Sequence, residues 1–380
     1  MPMSHSPIII PEINEKNAIC DYLIQTASIL VKKKYPIYIY YLHQAPTFRN
    51  NLTKISPFLY SFTPLKILPF NRFYLIQQIN IHLSFIYLYL ICFLRYQVAP
   101  IFWFFYPQAS SLLKFSPPPS KLIYDIVDFY ASPNPKTNEI LHHQKKYLLQ
   151  KANLITAISK SLIDNYQKIL PTASINLVVQ GFNLIKSSID INPETEKLQK
   201  LSHKIGFIGG INNRLDYQLL FELISQTPQY NYIFIGPLGN DYNVSSKSVN
   251  SLAKKLFTFK NVHHIDLVPK SQIGQFIDIF DITTIPYDIK DDFNRLCYPM
   301  KLFEYFAAGK PVLSTPIEEL KNFPKLVLVS SKSSDWKKYI DNIFSKPWPR
   351  KLQIQEKNLA KKNSWENKVS QITKLLLSLH

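Results

Sequence analysis

From Lys204 to Phe344 the chain alternates between short apolar runs and segments of helical period, and few folds accommodate that pattern. The runs are "KIGFIG", "YNYIFIG", "NVHHID", "DITTIPY", "KPVLST" and "KLVLVS". Between and after them lie "YQLLFELISQ", "SSKSVNSLAKKLF", "SQIGQFIDIF", residues 299–308 and "SDWKKYIDNIF". Short continuous apolar strands alternating with helices predict βαβ units and a parallel sheet buried on both faces. Right-handed crossovers then put helices on both sides of that sheet.

The first half alternates less regularly. Strands are expected at "PIII", "YPIYIYYL", "LKILP", "APIFWFFY", "KLIYDIV", "NLITAIS" and "INLVVQG", with helices at 137–151 and 160–169. At 380 residues the chain exceeds one ordinary core, so two doubly wound α/β domains are expected. Residues 186–203 are polar and turn-rich and read as a linker. The expected division is a first domain at 1–185, a second at 204–362, and an amphipathic helix at 363–380, "WENKVSQITKLLLSL", that packs back on the first. Ligands of such sheets sit at the carboxyl ends of the strands, so the cleft the two domains face is the expected site.

Composition narrows the function. Three cysteines, Cys20, Cys92 and Cys297, form no close pair and predict neither a disulfide framework nor a zinc site. The formal charge is +18, with 20 Lys and Arg against 10 Asp and Glu in the first 200 residues and 24 against 16 in the rest. Halved this way the excess is spread, and it suits an anionic partner without naming one. A nucleic-acid binder would need a localised basic face with stacking aromatics; the aromatics here fall mostly in strands and buried helices. The N-terminus lacks the pattern of a signal peptide. The most apolar segment, Ile79 to Pro107, is interrupted by Arg95 after roughly 15 residues, short of the ~20 that a spanning helix needs. It reads as a buried helix followed by a buried strand. Basic and aromatic residues together suit peripheral contact with an anionic membrane, and a cytoplasmic location, at the inner face of the membrane, is expected.

Glycine marks where a ligand meets backbone. Only 8 glycines occur, and seven follow residue 200. In "GFIGGINNRLDYQLL" a strand ends at Gly209-Gly210, and Asp216 can cap the next helix. Backbone N–H groups beside a helix N-terminus suit a phosphate, and Arg214 adds a fork that takes a diphosphate bidentately. The same residues also fit an ordinary turn with a surface arginine. "IGPLGND", at 235–241, reads as a plain turn. In "CYPMKLFEYFAAGKPVLSTPIEEL", Pro299 suits the first helical position and Gly309 the helix stop. Lys301 is unfavourable for the helix dipole unless an anion binds close by. Glu304 can accept two hydrogen bonds at once, matching the vicinal hydroxyls of a ribose. Taken alone, Lys301 and Glu304 equally fit an i,i+3 surface pair.

The combination resembles the donor-binding half of GT-B glycosyltransferases, group 1 (family 4-like) retaining type. The block Pro299, Lys301, Glu304, Tyr305, Ala307, Gly309, Lys310, Pro311, Val312 carries the resemblance, which covers about 204–330 well and the first domain weakly. It implies two Rossmann-like domains and a hexosyltransferase-like activity. A sugar would pass from a nucleotide diphosphate to a hydroxyl acceptor, glycan or lipid-linked, in cell-envelope polysaccharide synthesis. It implies no cofactor and no metal, the nucleotide sugar being co-substrate. Donor binding would fall to Gly209, Gly210, Arg214, Val268, Tyr298, Pro299, Lys301 and Glu304. Catalytic roles would fall to Arg214, Lys301 and, for orienting the acceptor, Asp128. Val268 would lie near the base. Many relatives have a further glutamate eight positions before Glu304; here Leu296 stands there, leaving Asn294 or Tyr298 to fill the space. A sugar-nucleotide epimerase or a non-catalytic nucleotide-sugar binder shares the same architecture.

Overall fold

The computed structural model describes residues 6–13, 21–42, 45–48, 51–132, 134–183, 192–239 and 246–379. The chain divides into two compact units: Met1–Gly181 with Trp365–His380, and Phe182–Ser364.

The first unit is built on β1 (Ile8–Glu12), β2 (Ile37–Tyr41), β3 (Leu52–Ser56), β4 (Leu59–Phe62), β5 (Ile101–Phe104), β6 (Lys121–Ile126), β7 (Leu154–Ala157) and β8 (Asn176–Leu177). The sheet order is β3-β4-β2-β1-β5-β6-β7-β8. Only the β3–β4 pair is antiparallel. Helices α1 (Asp21–Lys32), α2 (Tyr74–Tyr96), α3 (Pro135–Lys151) and α4 (Lys160–Gln167) connect the strands. The central strands β1, β2 and β5 are buried along their whole length, as an apolar run covered on both faces must be.

Two sequence expectations fail in this unit. "LKILP" is not a strand; Leu65 makes only an isolated bridge to Thr47. The edge is instead the hairpin β3–β4, whose outer strand is exposed and therefore carries no core pattern. The apolar segment beginning near Ile79 is a helix that starts earlier, at Tyr74, and it is buried on one face only.

The second unit alternates as its sequence implies. Its elements are α5 (Pro193–Gln199), β9 (Lys204–Ile208), α6 (Tyr217–Gln226), β10 (Asn231–Ile235), α7 (Ser246–Leu256), β11 (Val262–Ile265), α8 (Ile273–Ile279), β12 (Ile282–Ile285), α9 (Asp292–Arg295), α10 (Lys301–Ala308), β13 (Val312–Ser314), β14 (Val327–Val329), α11 (Ser333–Ser345) and α12 (Arg350–Lys362). The sheet runs β11-β10-β9-β12-β13-β14, all parallel. Part of the polar stretch read as a linker is α5, which is capped by Asn192 and packs on α8; residues 186–191 lie outside the described set. The last helix, α13 (Trp365–Leu377), belongs to the first unit and contacts α1 and β7.

Candidate functional site

In the second unit the chain steps outward from β9 in both directions: β10 and β11 on one side, β12 to β14 on the other. The carboxyl ends of β9 and β12 therefore flank a topological switch point, where open α/β sheets bind ligands. Gly209, Arg214 and Lys301 converge there.

β9 ends at Ile208 and turns at Gly209, whose φ is +141°. A side chain would be strained at that angle. It would also meet the Lys301 ammonium, which lies 2.6 Å from where a Cβ would stand. Gly236, which follows β10, has the same φ, and a Cβ there would overlap the Gly209 carbonyl. The "IGPLGND" glycine thus does more than turn the chain: it lets a second backbone close on the Gly209 turn. Residues of that loop from 240 onward lie outside the described set.

Arg214 is held from three sides. Its Nε donates to Asn294 Oδ1 at 2.8 Å. Its guanidinium carbon lies 4.3 Å from the Tyr287 ring centre and 4.9 Å from that of Phe293. Its backbone is zipped to the loop after β12: Asp288 N–H donates to Arg214 O, and Asp216 N–H donates to Pro286 O. Asp216 also caps α6, accepting from Leu219 N–H at 3.0 Å, and burial raises its carboxyl pKa.

Lys301, the first residue of α10, places its ammonium 4.1 Å from the Phe207 ring centre and 4.8 Å from that of Tyr287. One buried tyrosine ring therefore faces two cations, one on each element of the switch point. Ring faces attract cations and fix their positions without neutralising them. Glu304 is half-buried in the first turn of α10. Gly309 ends the helix with φ +69° and ψ +39°, as a left-handed stop requires.

Pro299 is not the first helical residue. α10 begins at Lys301, and Pro299 contributes a carbonyl that accepts from Leu302 N–H. Tyr298 is buried, its ring edge-on to Phe303 at 5.6 Å; burial, reinforced by Glu319, raises its hydroxyl pKa. Leu296 is buried as well. Asn294, 2% exposed, spends its oxygen on Arg214 and its amide nitrogen on the carbonyls of Asp288 and Arg214. Val268 is half-buried in the loop after the edge strand β11, two strands from the switch point. Gly210 follows Gly209 in the same turn. Asp128 lies in the first unit, beyond the end of β6, where its Oδ1 accepts from Phe129 N–H at 2.8 Å. Among the described residues, no three His, Cys, Asp or Glu side chains group as metal ligands.

Sequence reasoning missed Tyr287 and quoted Tyr305 without giving it a role. The Tyr305 hydroxyl accepts from Ile208 N–H at 3.1 Å and donates to Thr284 O at 3.4 Å. It ties the ends of β9 and β12 to α10, and burial raises its pKa. Lys310 is structural: its ammonium donates to the carbonyls of Asp278 and Phe280 at the end of α8.

No family model matches the chain. A Bacillus subtilis (strain 168) protein described as a teichuronic acid biosynthesis glycosyltransferase, TuaH, is 27% identical over 232 residues, 58% of this chain and 55% of that protein. The match thus spans about half the length of that curated relative. Among solved structures, sucrose-phosphate synthase from Thermosynechococcus elongatus superposes with a TM-score of 0.74 at 14% identity, covering 98% of this chain and 99% of that one. Anabaena HepE, in complex with UDP and glucose, gives a TM-score of 0.69 at 14% identity, covering 98% and 100%. These likenesses over nearly whole chains agree with the two parallel-sheet units, and the chain has the GT-B fold of the glycosyltransferases.

Proposed function

We propose that the chain is a retaining glycosyltransferase that moves a sugar from a nucleoside diphosphate to a hydroxyl acceptor. The observation that carries this reading is the pair of cations, Arg214 and Lys301, held against one tyrosine ring beside the Gly209 turn at a sheet switch point. Breaking the bond to the sugar leaves charge on the departing diphosphate. Cations and backbone N–H groups oriented before the reaction stabilise that charge without reorganising. Arg214 and Lys301 neutralise it, Gly209 and Gly210 let the phosphates reach backbone, and Glu304 takes the ribose hydroxyls. Tyr298 and Pro299 line the entry to α10, Val268 flanks the base, and Asp128 orients the acceptor. No metal is needed for this chemistry.

The UDP and UDP-glucose in the HepE complexes support a UDP-sugar donor. The name of the Bacillus relative supports an acceptor in cell-envelope polysaccharide synthesis, glycan or lipid-linked. The enzyme would then work in the cytoplasm, at the inner face of the membrane. The test is a panel of nucleoside diphosphate sugars, read first by thermal shift and then by nucleotide release with a lipid or glycan extract. Stabilisation by one donor and release of its nucleoside diphosphate are expected. A panel in which no donor stabilises the protein would overturn the reading. Conversion of the sugar without nucleotide release would show an epimerase instead.

A further inference from the structure

Counted by halves, the positive charge looks even, but in the first unit it is not. Between Asp21 and Asp125 no acidic residue occurs, while ten Lys and Arg do. That acid-free stretch contains α2, whose two faces differ sharply in burial. The inner face, with Phe85, Leu88, Tyr89 and Cys92, is buried; Phe85 packs edge-on to Phe102 at 5.0 Å. Its buried polar groups are spent on neighbouring backbone, Asn80 on Leu68 and Ser84 on Leu65. The outer face carries Leu75, Ile79, Leu83, Tyr87, Leu90 and Leu94, at helical spacing and 36–71% exposed. An apolar stripe that long on an exposed face marks a contact surface. Basic residues flank it: Arg72 just before the helix, Arg95 in its last turn and Lys66 nearby in sequence.

We infer that α2 lies flat on an anionic phospholipid bilayer, its outer leucines in the acyl boundary and its flanking basic residues on headgroup phosphates. This deepens the membrane placement proposed above and involves none of the donor-site residues. By length and composition α2 could cross a membrane, but its inner face is already committed to the unit's own core, so only the outer face is available. A helix with one apolar face, no acidic residue and flanking cations fits the interface plane. A second copy of the chain fits poorly, because joining two copies by this face would oppose two acid-free basic surfaces.

The experiment is flotation of the full chain with vesicles of phosphatidylcholine alone and of phosphatidylcholine with phosphatidylglycerol. UDP-glucose binding and solution mass are measured in parallel. The wild type is expected to float with the anionic vesicles only, and less at high salt. Leu75→Glu/Leu83→Glu/Leu90→Glu changes exposed side chains; it should keep nucleotide binding while weakening vesicle binding at least tenfold. Arg72→Glu should weaken it as well. Absence of binding to anionic vesicles, equal binding to neutral ones, or an unaffected triple variant would overturn the inference. So would a dimer that the triple variant dissociates. Retained nucleotide binding in any of these cases would leave the donor-site reading standing.

Discussion

Arg214 is oriented by a side chain eighty positions away, Asn294, and by a ring that also serves Lys301. Its contribution should therefore appear mainly where charge develops, in turnover. Arg214→Ala is expected to lower kcat about 100-fold while donor affinity changes only a few-fold, measured by steady-state kinetics beside calorimetry. A loss confined to donor binding would contradict this. Asn294→Ala should reproduce part of that loss, and it should add nothing in an Arg214→Ala background, because its effect passes through the arginine. Additive losses would show that Asn294 acts some other way. Glu304→Ala should weaken nucleoside diphosphate binding about tenfold, the loss of one good bidentate contact, with the thermal midpoint unchanged. Unaltered affinity in calorimetry would remove the ribose assignment. Gly209, Arg214, Lys301 and Gly309 were legible in the sequence because strand ends and helix ends carry local signals. Tyr287 was not, and Asn294 was named only as a filler beside Leu296 and not as the partner of Arg214, since their value lies in contacts made across the sheet.

Among the elements, legibility followed burial. Strands β9, β10, β12 and β13 are buried almost throughout, and all but β12, which carries Thr283 and Thr284, read as short apolar runs. Hairpin β3–β4 sits at an edge and does not. The one-sided burial of α2 was hidden because its exposed face is as apolar as its buried one. Helix α12 packs along α10, the helix that carries Lys301 and Glu304. Inside α12, Glu356 is fully buried; its Oε1 accepts from Trp348 Nε1 at 3.0 Å, and Oε2 has no hydrogen-bond partner among the described residues. Burial pushes its pKa up to about 8 from 4.5. The folded state thus holds a proton that the unfolded chain releases, so stability is full below about 4.5 and falls as pH rises towards 8. At roughly 1.4 kcal/mol per pKa unit, up to about 5 kcal/mol should be lost across that window. Glu356→Gln should flatten the decline and raise the denaturation midpoint at pH 8. Parallel curves for variant and wild type at pH 5 and pH 8 would exclude this carboxyl as the source.

At the scale of the whole molecule, the chain leaves the first unit after Gly181 and re-enters it at Trp365. The crossing is tight: a Cβ on Gly181 would run into the Trp365 ring. What fixes the returning helix α13 is a charge inside the core. The Lys368 ammonium lies 3.5 Å from Asp125 Oδ2, with both side chains at most 1% exposed, and donates to Gln180 Oε1 at 3.3 Å. Asp125 Oδ1 accepts from Thr156 on the neighbouring strand. Burial lowers the Lys368 pKa, and Asp125 pulls it back up. Such a pair adds little net stability over an apolar substitute, but removing one partner strands the other charge at a cost of about 3–5 kcal/mol. The pair thus acts as a register pin, opposing any docking of α13 that would leave Asp125 alone. Lys368→Met should lower the unfolding midpoint of the first unit in denaturant, with the transition of the second unit in place. Asp125→Leu/Lys368→Met should recover most of that loss, because no buried charge is left unpaired. If the double variant were as unstable as the single one, the loss would come from packing of the lysine stem, and the buried charge would not be what returns the chain to its first unit.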